Sequence, residues 1–336
     1  NRRFGSHEIS VLALYNQSKY HDPALAYLVP NAYQGFVGRF TYNYDNRYLV
    51  EFNAGYNGTE NFRAGKRFGF FPAYSLGWVA SSESFFPHNP WITFLKIRGS
   101  YGEVGNDKIG GERFLYRPTS YVYNDVEDNV AYDYVNNQYF FGTVGSNYTF
   151  YRTSSEGKLG NPDLTWERAR KANAGFDIHL WNDKIHLTAD WFHESRNDIL
   201  TNRSSVPVIV GASMPAYNLG RMVNWGFDGE INWFDRAGNV NYWVKATFTF
   251  ARNRIRYMDE AEKRYAYQAS TGQRYHQCFG LIADGFYNTW AEVNDPNRPV
   301  SMWNNNRIQP GDVKYKDVNG DGVIDSYDFV PIGYSD

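Results

Sequence analysis

Between residues 317 and 328 the chain reads DVNGDGVIDSYD. Asp317, Asn319, Asp321, Asp325 and Asp328 put side-chain oxygens at positions 1, 3, 5, 9 and 12 of this stretch, with Gly322 at the turn and the Val323 carbonyl at position 7. A hard cation takes roughly six to eight oxygens at about 2.3–2.6 Å, and alternating acidic residues on a tightly turning backbone converge that many. The spacing predicts one structural Ca2+ site with Asp317, Asn319, Asp321, Val323, Asp325 and Asp328 as ligands. The alternative is an acidic surface turn without an ion. Position 12 is Asp328 rather than the longer Glu of a sensor loop, and Pro310-Gly311 upstream leave no entering helix. Extracellular calcium loops bind with Kd of about 10⁻⁴–10⁻³ M. Near-millimolar calcium then contributes on the order of 1 kcal/mol, enough to fasten a loop but not to drive a switch.

The remaining chemistry-bearing residues point away from catalysis. No G-x-S-x-G, H-E-x-x-H or Walker sequence occurs, so the chain is not expected to be an enzyme. His179, His186 and His193 recur at spacing seven across a strand and its hairpin mate. They read as neighbours on one polar wall rather than as a metal centre. Asp228 and Glu230 share a strand face, as glycosidase carboxylates might, and the same wall accounts for them. Cys278 is the sole cysteine, which excludes an intramolecular disulfide framework. A net charge of −2 gives no basic field for nucleic acid.

The elements that must carry these residues are strands. Aromatic residues make up 18% of the chain, more than a soluble core needs but in keeping with interfacial belts. Apolar and polar residues alternate with period two almost throughout. Phe40, Tyr42 and Tyr44 oppose Arg39, Thr41 and Asn43; Ala174, Phe176, Ile178 and Leu180 oppose Asn173, Asp177 and His179; Val244, Ala246, Phe248 and Phe250 oppose Lys245, Thr247 and Thr249. About nine such segments of roughly ten residues are expected, the length a tilted strand needs to cross a bilayer. Tight turns at Asp45-Asn46, Asn182-Asp183 and Arg236-Ala237-Gly238, with a short link at 83–91, alternate with long stretches at 18–32, 58–68, 104–170, 196–216 and 253–336. One face is aromatic and apolar while the other carries Glu, Asp, Arg, Lys and His. Long links at one end only, with lipid on one face and water on the other, predict an all-β antiparallel transmembrane β-barrel segment. Tyr42, Tyr48, Trp78, Tyr101, Trp191 and Trp233 then form an interfacial girdle. The loop aromatics of 121–142 and 287–293 line a cavity, meet a partner or pack on one another.

The stretch YQGFVGRFTYNYDNRYLVEFNAGYNGTENFRAGKRFGFFPAYSLGWVASSESF, residues 33–85, resembles the SusC/RagA family of TonB-dependent outer-membrane transporters. LKIRGSYGEVGND (95–107), NPDLTWE (161–167), NAGFDIHLWNDKIHLTADWFHESRNDIL (173–200), NWGFDGEINW (224–233) and PGDVKYKDVNGDGVIDSYD (310–328) follow in the family's order. The resemblance implies that residues 1–336 are part of a barrel of roughly 22 strands, with the plug domain, TonB box and final strands outside this chain. It places 253–336, with its calcium-type loop, among the extracellular loops in the outer membrane of a Gram-negative bacterium. It implies active import of oligomeric nutrients, glycans or peptides. The expected partners are a SusD/RagB-like surface lipoprotein over the loops, TonB through the absent N-terminal part, and outer-membrane lipid. The competing expectation is a non-transporting outer-membrane binding or adhesin barrel.

Overall fold

The computed structural model describes residues 1–21, 30–87, 89–110, 113–118, 122–123, 139–143, 147–151, 154–212, 214–303 and 307–334. Ten strands form one antiparallel sheet in chain order: β1 (Arg2–Phe4), β2 (His7–Tyr20), β3 (Asn31–Tyr44), β4 (Tyr48–Thr59), β5 (Phe68–Val79), β6 (Ile92–Asn106), β7 (Glu167–Leu180), β8 (Ile185–Thr201), β9 (Tyr217–Ala237) and β10 (Val240–Tyr257). Nine are long. β1, of three residues, is the one the alternation did not announce. Every sheet neighbour is a neighbour in the order of strands, so the layout is a meander.

The turns have local causes. Asp45 and Asn46 adopt φ of 50° and 54°, and the Asn43 side chain accepts the Asn46 N–H at 2.9 Å. Between β7 and β8, Trp181, Asn182 and Asp183 all have positive φ (54°, 51°, 63°), so this turn begins one residue earlier than the Asn-Asp signal suggested. β9 continues through Ala237, and Gly238 at φ 60° starts the return, a small correction to the expected Arg236-Ala237-Gly238 turn. Asn and Asp tolerate the left-handed region through local hydrogen bonding, and Gly adopts it without steric cost.

β8, β9 and β10 run to 17, 21 and 18 residues. A barrel strand needs about 9–11 to cross a membrane. The sequence alternation therefore marked only part of each, and the rest projects beyond the apolar band.

The buried apolar cluster lies at the long-link end: Phe62, Phe71, Ile109, Leu115, Leu164 and Trp166, with Leu200 against it. Beyond β10, residues 258–334 carry their own short pairings. Gln277–Gly280 runs antiparallel to Val330–Tyr334, and Ala283–Phe286 antiparallel to Val313–Tyr315; Val300–Ser301 runs parallel to Val323–Ile324. The expected long loop is thus a folded appendage that starts after Tyr257.

Candidate functional site

Register and strand parity gather the polar side chains on one face. Arg39, Glu51, Ser75, Arg98 and Asn173 line a cavity of about 790 Å³ on that face. Ion pairs cross from strand to strand along it. Arg39 meets Glu51 at 2.8 Å, and Arg98 bridges Asp177 (3.3 Å) and Asp190 (2.5 Å). Lys171 meets Glu194 at 3.5 Å, Arg196 reaches Glu167 at 3.4 Å and also pairs along its own strand with Glu194 at 2.8 Å, and Lys245 meets Glu230 at 2.8 Å. The more exposed of these pairs, such as Arg39–Glu51 and Lys245–Glu230, each contribute at most about 1 kcal/mol. Their consequence is chemical: the wall is wet, charged and mixed in sign. Asp228 and Glu230, the acid pair noted in the sequence, are members of this wall.

The opposite face is apolar and open. Phe52, Tyr56, Trp191, Phe227, Trp233 and Phe248 are all exposed, and neighbouring rings meet across strands, as in Phe52–Tyr74 and Phe227–Phe248, both at 5.5 Å. Tyr48 and Tyr56 on β4, and Trp225 and Trp233 on β9, sit eight residues apart on the same face. At about 3.3 Å per residue that is roughly 26 Å along the strand, less once tilted, and an outer-membrane apolar band is about 25 Å tall. At the short-turn end, opposite Tyr48, the Trp78 indole N–H donates to Glu83 at 3.1 Å, as a girdle ring does when its polar edge finds a partner.

At the long-link end the NPDLTWE segment ties three connections together. The Asn161 amide donates to the Ala216 carbonyl at 3.0 Å, and the Trp166 indole donates to the Arg67 carbonyl at 3.2 Å. Asn218 accepts the Thr165 N–H and donates to the Thr165 and Asp198 carbonyls. Lys66 pairs with Asp163 at 2.8 Å and holds that carboxyl below its ordinary range. The motif is a structural knot under the loops. In the sequence it was visible as a motif but not as a knot, because its partners lie 53 and 99 residues away. Of the loop aromatics, most of 121–142 lies outside the described residues. In 287–293, Tyr287 is buried, whereas Trp290 stands exposed on a short helix capped by the Thr289 hydroxyl.

The loop at 317–328 is built around backbone N–H groups. The Asp317 carboxylate accepts from the Gly320 (2.6 Å) and Gly322 (2.8 Å) N–H groups, the Asn319 side-chain oxygen from the Asp321 N–H (2.9 Å), and the Asp321 carboxylate from the Val323 N–H (2.9 Å). Gly320 and Gly322 supply the left-handed backbone, at φ 75° and 81°. Asp328 is fully buried; one oxygen takes the Val318 N–H at 2.8 Å and the other the Asp325 N–H at 2.9 Å, closing the loop on itself. Asp325 caps the turn Ser326–Asp328 through the Tyr327 N–H. The Gly322 and Ile324 carbonyls bond the Val300 and Met302 N–H groups, which places the Val323 carbonyl on the other edge of this short strand. In donor type, charge and order these six residues fit a hard cation. The carboxylates are spread over the backbone rather than converged. Burial, Tyr265 and the charges of Asp328, Asp321 and Asp317 together raise the pKa of the adjacent Tyr267 phenol.

The three histidines separate. His179 and His186 are cross-strand partners whose rings stack at 3.8 Å. His193 has odd parity on β8 and lies on the opposite face beside Trp191, ring centres 6.2 Å apart. The shared polar wall expected for all three holds for two, because spacing seven on one strand always changes face.

A family model described as "TonB dependent receptor-like, beta-barrel" matches residues 15–333. The chain belongs to that family. It is an outer-membrane barrel chain of the Gram-negative type. The TonB-dependent receptor SusC of Bacteroides thetaiotaomicron is 29% identical over 325 residues, covering 92% of this chain and 29% of SusC. TonB-dependent receptor P3 of Formosa agariphila is 25% identical over 343 residues, covering 99% of this chain and 32% of P3. The RagAB peptide importer in its open-open state superposes with a TM-score of 0.69 at 17% identity, over 98% of this chain and 35% of that one. This chain spans about a third of the length of the curated relatives it matches. Those relatives are named as receptors rather than enzymes.

Proposed function

We propose that this chain supplies lumen wall and extracellular loops to an active importer of oligomeric nutrients, glycans or peptides, in a barrel of roughly 22 strands. The observation that carries the reading is the division of one sheet into a charged, water-lined face and a bare aromatic face. A lipid-facing wall around a wet passage uses both; a solvated sheet over a protein core uses only one of them. The mixed signs along Arg39–Glu51, Arg98–Asp177–Asp190 and Lys245–Glu230 suit polar, uncharged or zwitterionic oligomers better than a single ionic species. In this reading a SusD/RagB-like surface lipoprotein covers the long-link end, and TonB acts through parts of the protein outside this chain. Calcium at Asp317, Asn319, Asp321, Val323, Asp325 and Asp328 stiffens the appendage without taking part in passage.

The test is isolation of the full-length protein from outer membranes in mild detergent, together with growth of a deletion strain on oligosaccharides or peptides as sole nutrient. Co-isolation of a lipoprotein and loss of growth on one of these classes are expected. A lone barrel with unchanged growth on both overturns the proposal and favours a binding or adhesin barrel.

A further inference from the structure

At the short-turn end of the polar wall, the β7–β8 hairpin brings together three metal-ligating side chains that sequence spacing did not group. One ring nitrogen each of His179 and His186 and a carboxylate oxygen of Asp183 all lie within 4.8 Å of one another, the one such trio of His, Cys, Asp or Glu among the described residues. Two independent features of the fold create it. Register places His179 opposite His186, and the run of positive φ through Trp181, Asn182 and Asp183 folds the Asp183 carboxylate back over the pair.

The surroundings have the character of a ligand shell. The Asp183 carboxylate accepts the Thr93 hydroxyl at 2.7 Å and lies 3.0 Å from His179 Nδ1. An outer hydrogen bond such as that from Thr93 orients a metal's carboxylate ligand. Phe94 packs on His179 at 4.7 Å and Phe234 on His186 at 5.3 Å, restricting the rings. His186 Nε2 is buried and has no hydrogen-bond partner. A buried imidazole nitrogen left unpaired costs free energy that a ligand on it would recover.

We propose that His179, Asp183 and His186 bind one divalent transition-metal ion of the zinc class, as a clasp on the β7–β8 turn. Two imidazole nitrogens and one carboxylate oxygen suit zinc rather than calcium, which prefers oxygen alone. Three protein ligands leave a fourth position for water. Zinc–nitrogen bonds are about 2.0–2.1 Å long, so the trio closes inward on binding. The site is separate in place and in chemistry from the oxygen-only loop at 317–328.

The test is calorimetric titration of the full-length protein in detergent micelles with zinc chloride, in calcium-containing buffer, with cobalt(II) absorption as a second readout. One zinc per chain is expected from this site, with tetrahedral cobalt bands. His186→Gln and, separately, the exposed turn variant Asp183→Asn should each weaken that binding at least tenfold while the heat-modifiable folded band persists. His193→Gln, on the opposite face, should leave it unchanged. Unaltered zinc stoichiometry and affinity in both His186→Gln and Asp183→Asn, or no zinc binding by the parent protein, overturns the proposal. Should His186→Gln fail to fold, Asp183→Asn alone decides by the same criterion.

Discussion

The sheet and its long-link crown are built for different solvents. In the crown, Phe62, Leu164 and Trp166 are 1%, 0% and 3% exposed, packed with Phe71, Ile109 and Leu115 as in a soluble core. On the sheet's outer face, Leu76 is 62% exposed, Phe248 57% and Trp191 48%, and among the described residues no layer lies across from them. A water-soluble protein cannot leave such a surface bare, whereas lipid covers it at no desolvation cost. The comparison teaches that folding energy is divided. Loops hold by side-chain burial within the chain; the sheet holds by backbone pairing and by the bilayer.

Breaking the crown should give the largest effect. Trp166→Ala removes the ring between Phe62 (5.5 Å) and Phe71 (5.3 Å) and the indole bond to Arg67, and is expected to cost about 3–5 kcal/mol. Limited proteolysis should then cut at 60–67 and 156–166 while the sheet keeps its heat-modifiable mobility. Equal loss of both would show that crown and sheet are one cooperative unit. Breaking the outer face comes next. Phe52, midway between Tyr48 and Tyr56, faces outward, and Phe52→Arg should cost about 2–4 kcal/mol in bilayer refolding titrations. The same change at inward Asn53 should cost little, which sharpens the contrast between the faces.

The polar wall is a smaller lever. Arg98→Ala leaves Asp177 and Asp190 side by side and is expected to cost about 1–3 kcal/mol, between the exposed and buried limits for ion pairs. Arg98→Lys should recover part of it. In the crown, buried Asp259 accepts the Ser205 hydroxyl at 2.8 Å and pairs with Arg203 at 3.2 Å, joining 202–216 to the appendage. The Ser205 hydroxyl first, and then Arg203, lowers its pKa against burial. Its stabilising contribution is therefore present above the unfolded carboxyl value of about 3.9 and is lost as pH falls through the lower folded value. Protease protection of 202–216 should drop in that acid window in the parent protein, and Asp259→Asn should remove the pH dependence. The smallest effect expected is that of chelation. EDTA should speed cleavage within 310–328 by a few-fold, the size of about 1 kcal/mol; equal cleavage with and without chelator removes the ion and leaves the barrel reading intact.

Most of the sheet was legible because period two and the turn residues Asp45-Asn46 and Asn182-Asp183 are local signals. The polar wall was legible for the same reason, since Arg98, Asp177 and Asp190 each follow their strand's alternation. Other features depend on register between distant segments. Nothing near Asn161 or Trp166 tells that they meet Ala216 and Arg67. Nor does spacing reveal that Asp183 turns back on His179, since that depends on three consecutive left-handed residues, one of them Trp181. In the loop at 317–328 the order of oxygens was readable, but the burial of Asp328 beneath the backbone was not.

The most direct test of two solvents on one sheet is site-directed spin labelling along β9 of the full-length protein in bilayers, with Cys278 first replaced by Ser. Labels at Phe227, Gly229 and Ile231 should be relaxed by oxygen dissolved in lipid. Labels at Asp228, Glu230 and Asn232 should be relaxed by a water-soluble nickel chelate, giving a period-two alternation along the strand. Uniform accessibility to the water-soluble reagent at all six positions would contradict the account.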